Sequence, residues 1–478
     1  MSGMLSLFDR PVAQEHRQGS VKVFNANTRL LLAALLASLA AQAVDQPAPD
    51  ATAGTQKLDP AALARSRLYH PPGVPGATDP NIDNVYSMQI MALPDVGRMQ
   101  AVGRKIFFDK SLSGSGRMAC ASCHDPAYAY GPPNALAVQP GGAAMDKLGN
   151  RAVPSLRYKE RMPSFTEHYF DEEHPTGQDQ GPTGGYGWDG HFSTLHIQAG
   201  LPLLAPNEMA NASQSDVAAK LRKAAYAAEF RDTFGKDALD DDARAFKWLT
   251  LALEYFQRDP QEFFPYTSKY DASLRGQVAL SEQEQRGLKW FNDKEKGNCA
   301  SCHTSTPERP GTMPVFTDFG LIALGVPRNA SLPPNKQHGF YDMGLCGPYR
   351  GDLAAHHEYC GAFRTPSLRN VALRHTFFHN GAFHDLHEVV EFYATRDTDP
   401  AHWYPRIHRG PNKGKVDMYD DLPVALRKNV NHDAPFSPYA DGRPRLDKQE
   451  VDDIVAFLKT LTDGYVVPGK QTASAATH

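Results

Sequence analysis

The sequence predicts a mainly α fold with long loops, built from two similar halves, and three observations support this prediction. Residues 120–124 and 299–303 are identical pentapeptides, Cys-Ala-Ser-Cys-His. An amphipathic helical segment of similar composition precedes each of them. No stretch shows the sustained alternation of apolar and polar residues that is typical of a β-strand. We therefore expect an internal repeat of helix, short loop and pentapeptide.

Each pentapeptide is the motif through which c-type haem is attached. Two thiols three positions apart can add to the two vinyl groups of one haem, and the adjacent histidine can bind the iron. A thioredoxin-type pair would need a βαβ context, and a zinc site would need Cys and His at shorter separation. The sequence therefore predicts two covalently bound haem c groups. Their predicted attachment and iron-binding residues are Cys120, Cys123, His124, Cys299, Cys302 and His303.

Composition and length indicate an ordinary globular protein of two or three domains. The chain has 478 residues, 41% of them hydrophobic and 22% charged, with a net charge of −4. This near-neutral balance gives no reason to expect a nucleic-acid partner. Cys346 and Cys360 lie outside the haem motifs, and in an exported protein a disulfide between them is favoured over two free thiols.

The N-terminus predicts export. Residues 30–41 form a short apolar run that follows a basic residue and leads into Ala-Gln-Ala at 41–43, a typical cleavage motif. We predict a signal peptide over 1–43, a flexible leader over 44–94 and a periplasmic location. An uncleaved signal anchor is the alternative, and we expect no other contact with a membrane.

Helical periodicity places the main elements. Asp95 can cap a first helix, whose octamer 103–110 returns in similar form at 287–294. The second copy begins with a capping box, and the closing helix begins near residue 447. The other predicted helices cover 217–230 and 243–256, and the predicted haem domains cover 95–275 and 276–470. Segment 398–446 lacks periodicity and is expected to be a loop that covers the second haem or binds a partner.

Several motifs then resemble one family. They are Gly-Arg-Lys-Ile-Phe-Phe-Asp at 103–109, Trp-Asp-Gly at 188–190, Pro-Asn-Glu-Met at 206–209, Phe-Arg-Thr-Pro-Ser-Leu-Arg-Asn-Val at 363–371, Phe-His-Asn-Gly at 378–381 and the closing helix 450–461. In this order they resemble the bacterial di-haem cytochrome c peroxidase superfamily, which includes the MauG-type enzymes. The resemblance runs from about 95 to 465. It implies two cytochrome c-like haem domains packed against each other.

The resemblance also implies roles for three residues near the first haem. Glu208 matches the family's catalytic glutamate, and Gln198 matches a glutamine that MauG-type enzymes keep beside it. Trp188 matches a tryptophan that relays electrons between the haems. Without the resemblance, simpler interpretations remain open. Glu208 could be a solvated surface carboxylate, and Trp188 could be a tryptophan packed in the core or in a loop.

Tyr393 distinguishes two branches of the family. Peroxidases that need reductive activation resemble this stretch but place an iron-binding methionine there, whereas MauG-type enzymes place a tyrosine. The competing interpretation is a core tyrosine, because it shares one helical face with Leu386 and Val390. Residues 125–167 contain no histidine, and His168 is the first after the pentapeptide. This suggests a first haem that is open on its distal side, again as in MauG.

The family commonly holds a calcium ion between its domains. Asn150 matches the family's asparagine ligand, but the threonine-x-proline part of the site is replaced by residues 374–376, Arg-His-Thr. A calcium ion is therefore a weaker expectation than the two haems.

These features predict a periplasmic oxidoreductase that reduces hydrogen peroxide at the N-terminal haem. The second haem would store or relay oxidising equivalents through Trp188, and a small cytochrome c or copper protein would donate electrons. The alternative is a MauG-type enzyme that oxidises Trp or Tyr side chains of a protein substrate. A non-catalytic di-haem electron-transfer cytochrome is the alternative of another class. The chain is expected to be a monomer or a homodimer.

Overall fold

The computed structural model describes residues 94–170, 179–307, 309 and 311–469, which all belong to one compact unit. The predicted signal peptide over 1–43 and all but the last residue of the predicted leader lie outside this described part. The mainly α fold is confirmed, because the strands among the described residues are only two or three residues long.

Eleven α-helices and two short antiparallel strand pairs occur in the described ranges. The helices are α1 (Val96–Phe108), α2 (Leu195–Leu204), α3 (Gln214–Leu221), α4 (Ala227–Phe234), α5 (Asp242–Gln257), α6 (Pro260–Phe263), α7 (Lys269–Leu274), α8 (Glu282–Asn292), α9 (Leu386–Thr395), α10 (Pro400–Trp403) and α11 (Lys448–Lys459). The strands are β1 (Pro140–Gly141) with β2 (Lys147–Leu148), and β3 (Leu321–Ala323) with β4 (Ala362–Arg364).

The predicted helix starts are confirmed by their caps. The Asp95 carboxylate accepts a hydrogen bond from the backbone N–H of Arg98 at the start of α1. Ser281 and Glu284 form the predicted capping box at α8. A second capping box begins α11. These side chains satisfy backbone N–H groups that the first helical turn leaves without an intrahelical acceptor.

The internal repeat extends to the way the helices pack. Helix α1 crosses α5 at Gly103, where an added Cβ would lie 2.0 Å from the backbone oxygen of Ala252. Helix α8 crosses α11 at Gly287, where the same atom would lie 1.9 Å from the backbone oxygen of Asp453. Glycine is therefore required at the equivalent position of both octamers, because any side chain would force the helices apart.

Two hydrophobic cores follow from these crossings. Met99, Phe107 and Phe230 belong to a core formed between residues 99 and 263. Phe291 and Phe457 belong to a second core formed between residues 270 and 461. The first core ends at Phe263 and the second begins at Tyr270, a few residues before the domain boundary at 275, which stays a prediction.

One predicted helix, 217–230, is wrong as a single element. The structure has α3 and α4 instead, separated by tight turns at residues 222–226. Val217 and Phe230 are both fully buried in the first core. On one continuous helix they would face about 140° apart, because each residue turns about 100° and they are 13 residues apart. The break lets both side chains reach the same core.

Segment 398–446 is largely irregular, as predicted, but it is packed against the second core. It contains α10 and a short 3₁₀ turn, Val424–Asn429. Tyr404, Tyr419 and Phe436 are buried among residues of that core. The segment therefore forms part of the protein interior around the second pentapeptide.

Candidate functional site

The first pentapeptide follows α1 as a short 3₁₀ turn, Cys120–Ser122. The backbone N–H of His124 donates to the oxygen of Cys120 at 2.9 Å, and its Nδ1 lies 3.0 Å from the oxygen of Tyr130. A carbonyl can only accept, so Nδ1 carries the proton and Nε2 keeps the lone pair that a metal needs. Burial lowers the pKa of His124 to about 4, which keeps the imidazole neutral.

The second pentapeptide repeats this arrangement. It forms the 3₁₀ turn Cys299–Ser301, and Nδ1 of His303 lies 3.0 Å from the oxygen of Phe316. Burial also lowers the pKa of His303 to about 4. Tyr130 and Phe316, which supply the two carbonyls, both have left-handed backbone conformations, with φ of 55° and 56°. Both histidines are therefore prepared in the same way to bind iron through Nε2.

The four pentapeptide thiols are free and half-buried. Burial raises the pKa of Cys120, Cys123 and Cys299 to about 12, and that of Cys302 to about 11. Paired thiols beside a neutral, oriented imidazole fit a c-type haem at each site.

A cavity of about 240 Å³ opens beside the second pentapeptide. Cys302 and His303 line it together with apolar side chains such as Phe436 and Leu458. The cavity continues to Trp188 and to Tyr128, which follows the first pentapeptide. This space fits a flat, largely apolar cofactor and reaches towards the first site.

Tyr393 lies in this cavity, on α9. Its ring stacks on Phe436 at 5.0 Å between centroids. Burial, and to a smaller extent the nearby thiols of Cys302 and Cys299, raise the pKa of its hydroxyl. The structure thus brings Tyr393 to the second site, while its role as an iron ligand stays a prediction.

Trp188 is 8% exposed and held firmly. Its Nε1 donates to the backbone oxygen of Ala152 at 2.7 Å, and its own oxygen accepts from the backbone N–H of Arg364 at 2.7 Å. The next residue, Asp189, pairs with Arg151 at 2.8 Å. Trp188 therefore lines the cavity with its ring held in a fixed orientation.

Glu208 lies in the turn that follows α2, where its backbone N–H donates to the oxygen of Ala205. Burial raises the pKa of its carboxyl to about 7. The carboxylate is close enough to Cys120 and Cys123 to act on both thiols electrostatically. A titratable carboxyl thus lies beside the first attachment site.

Gln198 lies on α2, which leads into the turn carrying Glu208. Within the described ranges no hydrogen bond joins the Gln198 and Glu208 side chains, and the role of Gln198 stays a prediction. His168 is exposed and pairs with Asp179 at 2.6 Å.

The calcium prediction finds little support from the residues concerned. Asn150 donates its amide to the hydroxyl of Tyr349 at 2.7 Å. The backbone oxygen of Thr376, which could serve as a ligand, accepts from Nε of Arg374 at 3.1 Å. Across the described ranges no group of three or more His, Cys, Asp or Glu side chains could hold a metal ion. The Arg374 guanidinium places a positive charge beside the Thr376 oxygen, which disfavours a second cation there, and the calcium ion stays a prediction.

The predicted disulfide is confirmed, with Cys346 bonded to Cys360. The loop between them carries Arg350, whose Nη1 donates to the backbone oxygen of Asp189 at 3.0 Å. The loop therefore supports the backbone next to Trp188. In the described part of the chain, the helices are too short or too polar to cross a membrane.

The sequence prediction missed one feature of the site, a group of basic side chains on the cavity wall. Lys159 comes from a part of the chain distant from Arg364 and Arg374, and the three meet there. Their spacing forms no motif of its own. The only available signal was that Arg364 lies within the family segment 363–371 and that Arg374 follows it.

Comparisons with known proteins agree with this arrangement. Residues 98–279 match the family of di-haem cytochrome c peroxidases. The chain is 34% identical over 394 residues to the methylamine utilization protein MauG of Paracoccus denitrificans, covering 80% of this chain and 94% of that protein. It is 24% identical to the cytochrome c551 peroxidase of Nitrosomonas europaea, covering 84% and 89%. Among solved structures, the diheme peroxidase BthA of Burkholderia thailandensis is 38% identical, with a TM-score of 0.68 and coverage of 80% and 89%.

Proposed function

Because this chain belongs to the di-haem cytochrome c peroxidase family, which includes MauG, we propose that it is a periplasmic oxidoreductase that reduces hydrogen peroxide. The first haem would be held by Cys120, Cys123 and His124, and the second by the equivalent residues of the second pentapeptide. Each haem would belong to its own domain, 95–275 or 276–470. The two separate hydrophobic cores, which divide between residues 263 and 270, support a domain boundary close to the proposed one.

One observation carries the proposal. Glu208 places a desolvated carboxyl with a pKa of about 7 beside the first pair of haem-binding thiols. A general acid–base works best when its pKa is near the working pH, because it can then both take up and release a proton. No such carboxyl is needed by a protein that only carries electrons.

The residues would divide the work as follows. The Glu208 carboxylate takes a proton from one peroxide oxygen and returns it to the other, which leaves as water. The bound haem supplies the redox chemistry, including cleavage of the O–O bond. Trp188 passes electrons between the sites, and Tyr393 covers the second haem. Reduction of one peroxide to two waters consumes two electrons and two protons, with a small cytochrome c or copper protein as the electron donor.

The variant Glu208→Gln tests the proposal. It keeps the size of the side chain and removes its base, so we expect peroxide turnover with a reduced small cytochrome to fall by about 10²–10⁴-fold. Haem content, measured from the alkaline pyridine spectrum, should stay at two per chain. Asp146→Asn is a matched control, because Asp146 is an exposed carboxylate on the neighbouring β1–β2 turn. Unchanged turnover in Glu208→Gln would reject the role of Glu208.

A MauG-type activity is the second candidate, and Tyr393 is the observation that favours it. A tyrosinate is a hard anionic ligand that favours oxidised iron. A second haem covered by Tyr393 would retain oxidising equivalents long enough to oxidise Trp or Tyr side chains of a protein substrate.

The variant Tyr393→Met separates this candidate from a simple peroxidase. We expect the electron paramagnetic resonance and optical spectra of the second haem to change, and the peroxide-oxidised state to decay faster in the absence of a donor. Tyr465→Phe, at a half-buried tyrosine that does not line the cavity, is the control. Spectra that are identical in Tyr393→Met and in the unsubstituted protein would exclude Tyr393 as a ligand. If the spectra of both haems stay unchanged when peroxide is added, a non-catalytic electron carrier would be favoured.

A further inference from the structure

Five basic side chains line the cavity that joins the second pentapeptide to Trp188, and two of them have carboxylate partners. Arg157 pairs with Asp463 at 3.0 Å. Arg369 forms a double, fully buried ion pair with Asp271, with hydrogen bonds of 2.9 and 3.0 Å. These two charges are balanced within the protein. The remaining three, Lys159, Arg364 and Arg374, are called the cationic cluster below.

The cationic cluster is hydrogen-bonded only to neutral groups. Nε of Arg364 donates to the backbone oxygen of Gly187 at 3.0 Å. Arg374 donates from Nε to Thr376 and from Nη2 to the backbone oxygen of Val153, both at 3.1 Å. Within the described ranges the Lys159 ammonium has no hydrogen-bond partner. Carbonyl oxygens satisfy N–H groups but do not balance a formal charge.

Carboxylates near the cluster are engaged elsewhere. Asp342 lines the same cavity, but Arg151 holds both of its oxygens, at 2.6 and 2.8 Å. Asp189, the carboxylate that attracts Arg364, also pairs with Arg151. The cluster therefore carries positive charge that the described part of the protein does not balance.

Burial and mutual repulsion make this charge costly. Burial, then repulsion from Arg364 and Arg374, lowers the pKa of Lys159 well below its usual value. Burial also lowers the pKa of both arginines to about 10. Cations that are buried without an anion are rare in proteins, because desolvation of each charge goes uncompensated. An anion in the cavity would remove this cost.

The position of the cluster indicates which anion would bind there. Lys159 and Arg374 are close enough to His124 to lower its pKa electrostatically. The cavity that the cluster lines also contains His303 and Trp188. The positive charges therefore lie between the two haem attachment sites, on the wall of the space that fits the second haem.

We propose that the cationic cluster of Lys159, Arg364 and Arg374 binds the propionate carboxylates of the attached haems. Each haem carries two such carboxylates, and Arg and Lys bind carboxylates through charge-assisted hydrogen bonds. This proposal requires that haem is attached and does not depend on peroxide reduction. No bond is made or broken, and the cluster acts as a positioning and charge-balancing site.

A measurable consequence follows for haem reduction. Removal of a balancing cation leaves an unopposed propionate, which favours the more positive, oxidised iron and lowers the midpoint potential. It also raises the pKa of the propionate. The midpoint potential should therefore depend more strongly on pH between about pH 5 and 7.

The experiment compares Lys159→Met with Lys159→Arg in the protein with both haems attached. Spectroelectrochemical titration should show a lower midpoint potential for at least one haem in Lys159→Met and little change in Lys159→Arg. Lys223→Met removes the same charge from an exposed lysine and should leave both potentials unchanged. Resonance Raman spectra should show altered propionate bending modes only in Lys159→Met.

Arg374→Met provides an independent second variant, should Lys159→Met fail to mature. Unchanged potentials and unchanged propionate modes in both variants, with both haems attached, would overturn the proposal. Potentials that instead follow phosphate concentration at constant ionic strength would also overturn it, because the cluster would then bind a small inorganic anion. A variant that loses peroxide turnover but keeps its midpoint potentials and propionate modes would also count against propionate binding by the cluster. It would then point to a role of the substituted residue in the proposed peroxide reduction.

Discussion

Burial governs the ionisation of Glu208. It raises the pKa of this carboxyl to about 7, and no ion pair in the described part of the chain opposes the shift. Sequence reasoning could assign Glu208 only through family resemblance, because an isolated glutamate is usually solvated. The structure adds the physical condition that a proton-transfer group needs.

Peroxide turnover should therefore depend on pH through Glu208. Below pH 7 the carboxyl is mostly protonated and cannot accept the peroxide proton, so kcat/KM should fall about tenfold for each pH unit below that point. Above pH 7 it should level off. Steady-state rates from pH 5 to 9 provide the measurement. Glu208→Gln should lose this dependence, and a slope that persists in the variant would assign the titration to another group.

The position of Arg374 leads to a prediction about calcium. Its guanidinium donates to the backbone oxygens of Thr376 and Val153, so a positive charge already lies where a calcium ion would bind and would repel it. Treatment with a calcium chelator should leave the haem spectra and the melting temperature unchanged. The same treatment followed by added calcium is the control. One calcium per chain by elemental analysis, lost together with a spectral change, would contradict this expectation.

At the level of elements, the helices with strong local signals were predictable. Caps at Asp95 and Ser281 act within one turn, so the sequence near them is sufficient. The break between α3 and α4 was not predictable, because it depends on the position of the first core, which forms from residues distant in sequence. The cationic cluster was missed for the same reason, since it joins Lys159 to a segment about 200 residues later that carries Arg364 and Arg374.

The repeated glycine crossings allow a prediction about packing. Gly103→Ala and Gly287→Ala should each lower the free energy of unfolding by about 1–3 kcal/mol, because the new methyl group collides with backbone that cannot move locally. Chemical denaturation followed by circular dichroism gives the measurement. Gly97→Ala, on the exposed side of α1, should be neutral or slightly stabilising. Equal effects at Gly97 and Gly103 would show that close packing is not the cause.

For the whole molecule, Arg369 joins parts of the chain that are distant in sequence. Its guanidinium pairs with Asp271 and lies 4.7 Å from the ring centre of Tyr158, which comes from the N-terminal half of the chain. Both members of the ion pair are fully buried. Such a pair costs much to break, because the remaining charge has no water to compensate it.

Asp271→Asn should therefore destabilise the protein by about 3–5 kcal/mol. The melting temperature and denaturant midpoint of the protein with both haems attached provide the measurement. Asp441→Asn is the control, because Asp441 forms an exposed pair with Arg443 and should contribute little. A small loss for Asp271→Asn would indicate that Arg369 finds other partners.

The buried thiols of the pentapeptides bear on how the protein is made. With a pKa of about 12, only about one thiol in 10⁵ is ionised at pH 7, and the thiolate is the reactive form of cysteine. A chain that folded first would react very slowly with haem vinyl groups. We therefore expect attachment to precede folding, while the thiols are still exposed and reduced. Folding of the chain would then wait until both haems are in place.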